Sequence, residues 1–337
     1  MNNLKKKLLA MLVTLSMACA LFGCGNKTAQ EQADAGGTER GTQAGSQAED
    51  VARQEETAQQ EPLQQEGSYP LTVTDSDGEE VTLEAKPERI VSVAPNLTEL
   101  VYELGAGDLL VGRSDYCDYP QEVSEVESIG SISAPDMEKL ISLEPDLVLV
   151  STHFDEENTE KLQELSVPVL TLYEENSMEG VYDMIETLGE ALSCGTQAAD
   201  CIRQMQETIA EVEDKIKGLE APSVYYVVDF GEYGDYTAGG DTFVGKLLEA
   251  AGGDNIAKEV TGWNMTLEQI IENDPSIIII REYRKDEFMN SPNYSGLTAV
   301  KEGKVYGIDS NVLDRQGYRN AEGIRMLAEI FHPEAFE

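Results

Sequence analysis

Glu138-Lys-Leu-Ile-Ser-Leu-Glu-Pro145-Asp-Leu-Val-Leu-Val150 and Glu268-Gln-Ile-Ile-Glu-Asn-Asp-Pro275-Ser-Ile-Ile-Ile-Ile280 are near-copies of one pattern. Each sets a Glu seven residues before a Pro, with two aliphatics behind the Glu: Leu140 and Ile141, then Ile270 and Ile271. Each Pro is followed by an unbroken aliphatic run. Proline cannot continue a helix and pushes its predecessor out of the right-handed helical region, so the pattern predicts a short helix, a stop and a strand. A continuous apolar run bounded by turn residues suits a strand covered on both faces, as in a parallel sheet. Two copies are too few for a solenoid and predict two similar α/β lobes.

Outward from these copies, Leu71–Leu83 reads as a hairpin around Asp75-Ser-Asp-Gly78. Ile90–Val93 is a strand, and Asn96 with Glu99 three residues later resembles a capping box for the next helix. Gly105 ends that helix. Strands are expected at Leu109–Val111 and Val167–Leu172. Met178–Leu219 reads as helical, interrupted near Ser193-Cys-Gly195, with Ala198, Ile202, Met205, Ile209, Val212 and Ile216 at helical spacing. It is the only long helix between the copies and should join them. In the second half, strands are expected at Val224–Val228 and Lys304–Ile308, and helices at Thr242–Ala251 and Asn320–Phe331. The fold class is α/β: two similar lobes with central, mainly parallel sheets, joined by a single long backbone α-helix.

The ends divide the chain further. Lys5, Lys6 and Lys7 precede an apolar run from Leu8 to Phe22, a signal-peptide layout too short for a comfortable membrane span. It closes Leu21-Phe22-Gly23-Cys24, which resembles the bacterial lipobox, so Cys24 is the expected lipidation site. Residues 25–68 hold almost no large apolar side chains and read as a flexible tether. The remaining boundaries fall at 69–176 for the N-terminal lobe, 177–220 for the connecting helical region and 221–337 for the C-terminal lobe.

With 24 basic and 64 acidic residues in 337, the net charge of -40 argues against nucleic acid and against a basic membrane-surface patch. Cys117, Cys194 and Cys201 form no C-x-x-C or Cys/His cluster, so no zinc or iron–sulfur site is indicated. Cys194 and Cys201 within one helix would lie about 10 Å apart, too far for a disulfide. If Cys194 precedes the helix, the bond stays open.

The loops after the strands mix aromatic rings with cations: Tyr116, Tyr236, Trp263 and Tyr283, with Arg113, His153, Arg281, Arg284, Arg315 and Arg319. Aromatic faces stack on a macrocycle or catechol ring, and arginines pair with carboxylates or an anionic chelate. His153 is one of two histidines, and a lone His favours a wrapped metal complex over a bare ion.

Several motifs in order carry a family resemblance: Lys86-Pro-Glu-Arg-Ile-Val-Ser-Val93 with Asn96-Leu-Thr-Glu99, Ser114-Asp-Tyr-Cys-Asp-Tyr-Pro120, the two Glu–Pro copies, Leu248-Glu-Ala-Ala-Gly-Gly253 and Lys301-Glu-Gly-Lys-Val-Tyr306. Residues 70–333 resemble the iron-chelate and vitamin B12 substrate-binding lipoproteins of ABC importers. The resemblance implies an extracytoplasmic, membrane-anchored monomer without enzymatic activity or a resident cofactor. Its cargo would be a cobalt or iron chelate (corrinoid, iron siderophore or haem) delivered to an ABC permease and its ATPase. It implies that Glu138 and Glu268 dock onto permease arginines. It also places Tyr116, Phe230, Trp263 and Arg315 at or beside ligand positions. Ile132 and Ser151 stand where the vitamin B12 group has tryptophans, and Asn311 where it has an Asp. With the loop residues, the expected ligand set is Tyr116, Arg113, His153, Phe230, Tyr236, Trp263, Arg281 and Arg315. The other function class compatible with two α/β lobes is an enzyme or redox protein using Cys117; no nucleophile elbow, phosphate loop or paired His accompanies it.

Overall fold

The computed structural model describes residues 68–174 and 177–337. The leader, Cys24 and the tether as far as residue 67 lie outside the described residues, all of which belong to one unit, Glu61–Glu337. The hairpin forms as β1 (Leu71–Thr74) and β2 (Glu80–Leu83), with Gly78 at φ +82° in its turn. Val73 and Leu83 enter the core, while the outward Thr72 and Thr82 hydroxyls pair with each other.

The first lobe runs β3 (Ile90–Ser92), α1 (Pro95–Glu103), β4 (Leu110–Arg113), α2 (Met137–Ser142), β5 (Leu147–Val150), α3 (Glu156–Glu164) and β6 (Val169–Thr171). Helices α4 (Met178–Ala191) and α5 (Gly195–Ile216) follow, broken at Ser193 with φ +54°. The second lobe runs β7 (Ser223–Val227), β8 (Asp235–Tyr236), α6 (Phe243–Ala250), β9 (Asp254–Asn255), β10 (Asn264–Met265), α7 (Leu267–Asn273), β11 (Ile277–Arg281), α8 (Lys285–Asn290), α9 (Thr298–Glu302), β12 (Val305–Ile308), α10 (Asn311–Asp314) and α11 (Asn320–Phe331).

The duplication extends well beyond the two quoted stretches. The first sheet has the order β4-β3-β5-β6 and the second β12-β11-β7-β9, and all pairings in both are parallel. Read from the other edge, the second is β9-β7-β11-β12, so the strands match one for one. The quoted copies are α2–β5 and α7–β11, which occupy equivalent places. Each turn from helix to strand uses a left-handed non-glycine residue before its Pro, Glu144 at φ +50° and Asp274 at φ +39°. The residue after each Pro ties its strand to the lobe's first strand. The Asp146 carboxylate accepts from the Glu88 and Arg89 amides, and the Ser276 hydroxyl donates to the Ser223 carbonyl. Of each aliphatic pair only the first is buried: Leu140 and Ile270 are fully covered, while Ile141 and Ile271 are exposed.

Alternation along the strands gives each sheet two apolar faces. Val148 and Val150 face outward to a satellite core of the first lobe, and Ile278 and Ile280 to one of the second. Leu147, Leu149, Val224, Tyr226, Ile277 and Ile279 face inward and join a single core shared by both lobes. Helix α5 contributes Ala198, Cys201, Met205 and Val212 to that core, and Ile202, Ile209 and Ile216 pack half-buried against it. It contacts α4 on one side and α11 on the other, where Arg325 pairs with Glu211.

Two expectations change. The capping box at Asn96 and Glu99 does not form: the cap is Ala94, the helix begins two residues earlier with Pro95 in its first turn, and both residues lie inside it, buried. Proline is pre-set for that first helical position. The short helices α3, α8, α9 and α10 were not expected from the periodicity, because too few apolar residues fall in each to show a period.

The cysteine question closes. Cys117, Cys194 and Cys201 are all free and buried. Cys117 sits under α1, accepting from the Thr98 hydroxyl at 3.0 Å and contacting Ser114 Oγ at 3.3 Å. Burial pushes the Cys201 thiol up to about 12, with the Glu103 charge adding to the effect. Reaction with an aromatic disulfide reagent at pH 8 is therefore expected to be slow for all three in the folded protein and fast in urea. Rapid reaction of Cys117 in the native state would contradict this burial.

Candidate functional site: a cleft between the lobes

The carboxyl ends of the parallel strands in both lobes face one cleft of about 750 Å³. Ligand crevices form at such strand ends in open α/β sheets. Ala94, Pro95 and Asn96 enter it after β3, Ser151, Thr152 and His153 after β5, and Tyr173 and Glu174 after β6. From the second lobe come Val228 after β7, Arg281 at the end of β11, the loop residues Asp241, Gly262 and Trp263, Asp314 at the end of α10, and Arg315 and Gln316 just after it. A second hollow of about 860 Å³ lies along α4 and α5, away from the strand ends.

A buried ion cluster joins the lobes beside the cleft. Glu99 of α1 is 4 % exposed. Arg319 grips it with two bonds, Nε to Oε2 at 2.7 Å and Nη2 to Oε1 at 2.8 Å. Arg315 Nη1 reaches the same Oε1 at 2.7 Å and Asp118 Oδ1 at 2.7 Å, and its Nη2 donates to the Tyr116 carbonyl. The Arg319 guanidinium also lies over the Tyr119 ring at 4.1 Å. Asn96 Nδ2 donates across the lobes to the Gln316 carbonyl at 3.2 Å. Burial alone would lower the Arg315 pKa, but the bonds and charges of Asp118 and Glu99 turn the net direction upward. Fork-shaped, charge-assisted pairing of this kind holds two surfaces in one geometry.

Four of the eight expected ligand residues line the cleft: His153, Trp263, Arg281 and Arg315. Trp263 is 44 % exposed, and His153 Nδ1 is 2.9 Å from Thr152 Oγ1. Arg281 is already bonded to Ser310 and to Asp314 Oδ2, each at 3.1 Å. The other four are placed elsewhere. Arg113 turns back to the carbonyls of Val123 and Ser114. Phe230 packs edge-on against Phe288 and Tyr294 with Arg284 over its face. Tyr236 belongs to the β8–β10 ribbon, where its hydroxyl donates to the Tyr233 carbonyl. Tyr116 is exposed outside the lining and touches the site through its carbonyl. Of the wider set, Arg284 pairs with Asp229 and Glu287, and Tyr283 is largely exposed. Ile132 and Ser151 are in the lining, as are three carboxylates the sequence did not single out, Glu174, Asp241 and Asp314. Nothing local marks Asp118 or Asp314, whose partners are remote. For Glu99 a signal existed: Pro95 fixes the helix start and turns Glu99 into an interior position.

Trp263 is positioned by the ribbon. Thr237 N donates to the Trp263 carbonyl, and Gly262 N donates to Asp241 Oδ1 at 2.7 Å. Under the ribbon the Tyr294 hydroxyl donates to the buried Asp235 carboxylate. Burial raises the Asp235 carboxyl despite that bond, and the nearby Glu268 charge raises it further.

Glu138 and Glu268 are both exposed, each the second residue of its short helix. The end of α2 is tied to Arg89 at the start of β3, and β11 leaves its Pro beside Ser223 at the start of β7. Each helix therefore runs from the cleft-side edge of its sheet to the far edge, with its Glu at the cleft side.

Two lobes of equal topology around a strand-end cleft, joined by buried contacts, are an arrangement suited to holding a solute between them. Residues 90–312 match the family described as periplasmic binding protein, and the chain belongs to it. It is 34% identical over 277 residues to the ABC transporter substrate-binding lipoprotein YvrC of Bacillus subtilis, covering 80% of this chain and 88% of that one. It is 29% identical over 280 residues to a cobalamin-binding protein of Halobacterium salinarum, covering 79% and 75%. Among solved structures it superposes on a possible iron-binding (periplasmic solute-binding) protein of Staphylococcus epidermidis. That match has a TM-score of 0.63 at 26% identity, over 73% of this chain and 99% of that one. The chain is accordingly a substrate-binding protein of the ABC-transporter class.

Two outcomes follow for stability. Glu99→Ala strands the buried Arg319 guanidinium and takes one of two carboxylate partners from Arg315, and is expected to cost about 3–5 kcal/mol in urea unfolding; an unchanged midpoint would refute the lock. Asp235 has a folded pKa above its unfolded one, so its carboxylate costs stability at neutral pH and the cost fades as pH falls. Asp235→Asn should raise the melting temperature at pH 7 and match the parent at low pH.

Proposed function

We propose that the protein is a monomeric lipoprotein, anchored outside the membrane through Cys24, that captures a corrinoid in its cleft and presents it to an ABC permease. The observation that carries this reading is the strand-end cleft of about 750 Å³ with the half-exposed Trp263 in its wall. A cleft of that volume lies in the ordinary range for small-molecule sites. The relatives named for cobalamin or vitamin B12 favour a corrinoid among the metal chelates. No group of three or more His, Cys, Asp or Glu among the described residues is placed to hold a metal ion. On this reading the metal is cargo that arrives inside its own chelate. Iron siderophores and haem are the competing cargoes.

Glu138 and Glu268 supply the docking contacts. They are exposed, equivalent in the two lobes and set at the cleft-side edges of the sheets. Two carboxylates, one on each lobe, fix orientation against a basic partner and speed encounter. The shared core and the Glu99 cluster keep their spacing constant, so lobe movement on loading is small.

Trp263 is the sole tryptophan, so its fluorescence reports the cleft alone. Titration with cyanocobalamin is expected to quench it with submicromolar affinity, and Trp263→Phe to abolish the signal. No response to any corrinoid, haem or ferric siderophore would remove the receptor role. Glu138→Ala with Glu268→Ala should leave that titration unchanged and reduce stimulation of the permease ATPase at least tenfold. Undiminished stimulation would exclude the docking role.

A further inference from the structure

We propose that this cleft selects its chelate by charge, accepting neutral and cationic complexes and rejecting anionic ones, with Asp241 as a specificity-determining residue. The inference rests on the receptor role proposed above and narrows its cargo.

The two arginines in the wall are the groups that an anionic chelate would need, and both already have carboxylate partners. Arg281 is held by Asp314 and Ser310. Arg315 is shared between Glu99 and Asp118. Arg319 is spent on the same Glu99 and is shut off from solvent at 7 % exposure. An incoming carboxylate or catecholate would meet guanidiniums whose charge Asp314, Glu99 and Asp118 already offset, and would bring its own charge next to those carboxylates. Like charges brought together in a desolvated cleft repel strongly.

The wall carries three carboxylates, Glu174, Asp241 and Asp314, against the two guanidiniums. Asp241 is exposed to the cleft. Its Oδ1 accepts from Gly262 N, and its Oδ2 has no protein donor among the described residues. Asp241 lines the hollow together with Trp263, where it would meet the ligand. A cleft with low-dielectric walls and one excess sign focuses its potential inward, and the chain's net charge of -40 adds to it at long range. Haem carries two propionates and a tris-catecholate iron complex is a trianion. Cyanocobalamin is neutral overall and aquacyanocobinamide is a cation.

Intrinsic fluorescence titrations of the mature protein at low and high salt test this. Aquacyanocobinamide is expected to bind most tightly, with an affinity that falls as salt rises, and cyanocobalamin to bind with little salt dependence. Haem and the tris-catecholate complex are expected to bind at least a hundredfold more weakly. Asp241→Asn keeps the acceptor for Gly262 and should weaken the cation several-fold and strengthen the anions, so that the ratio between the two affinities narrows at least tenfold. Asp118→Asn, which loosens one partner of Arg315 at the exposed edge, should also strengthen the anions. Anions binding as tightly as the corrinoids, or both variants shifting all ligands alike, would overturn charge selection while the receptor role stands. Binding of no chelate at all would overturn both.

Discussion

Glu99 is a carboxylate almost without water, and the guanidiniums of Arg315 and Arg319 make its burial tolerable. An ionised carboxylate in a dry site needs its charge matched and its lone pairs filled. Three N–H bonds from residues more than two hundred positions away do both. The consequence is mechanical as well as energetic. Glu99 sits on the first helix of one lobe and the arginines lead into the last helix of the other, so the lobes cannot separate without exposing an unpaired buried charge. The cleft beside this cluster is held at a set width.

The same constraint explains why a duplicated scaffold suits a receptor. Each lobe alone would bury one sheet face against its own helices and leave the other wanting cover. Here the inner faces of both sheets run into one core around α5 and α11, which makes the pair a single packed body. Interiors at such density rearrange between discrete states rather than deform continuously. Binding therefore has to come from side chains already in place around the cleft.

How much of this the sequence carried depends on distance along the chain. The α2–β5 and α7–β11 units were readable because their cause is local: a proline stop, a buried aliphatic run and a Glu in the first turn. The heptad-like spacing on α5 was readable for the same reason. The cluster at Glu99 was misread as a cap, although Pro95 held the correcting information. The partners of Arg281 and Arg315 could not be read at all, because Asp314 is distinguished from other surface acids only by the fold, and Asp118 lies 197 residues from Arg315. Phe230 and Tyr236 show the limit from the other side. Aromatic residues in a Gly-rich loop look like ligand contacts, but here one fills an aromatic cluster and the other stiffens a two-stranded ribbon.

That ribbon also links the two ends of the proposed role. Strand β10 lies between Trp263 in the cleft wall and Glu268 in the first turn of α7, with four residues separating them in the chain. It is braced through β8 by the Tyr294–Asp235 bond, and the Asp235 carboxyl feels the Glu268 charge. A basic partner that neutralises Glu268 would ease the ionisation of Asp235 beneath the ribbon and so strengthen the acceptor that Tyr294 bonds. On the proposed role, the docking carboxylate and the bond that braces the Trp263 wall are linked by the Glu268 charge that Asp235 feels. The coupling needs no lobe rotation, which the Glu99 cluster resists.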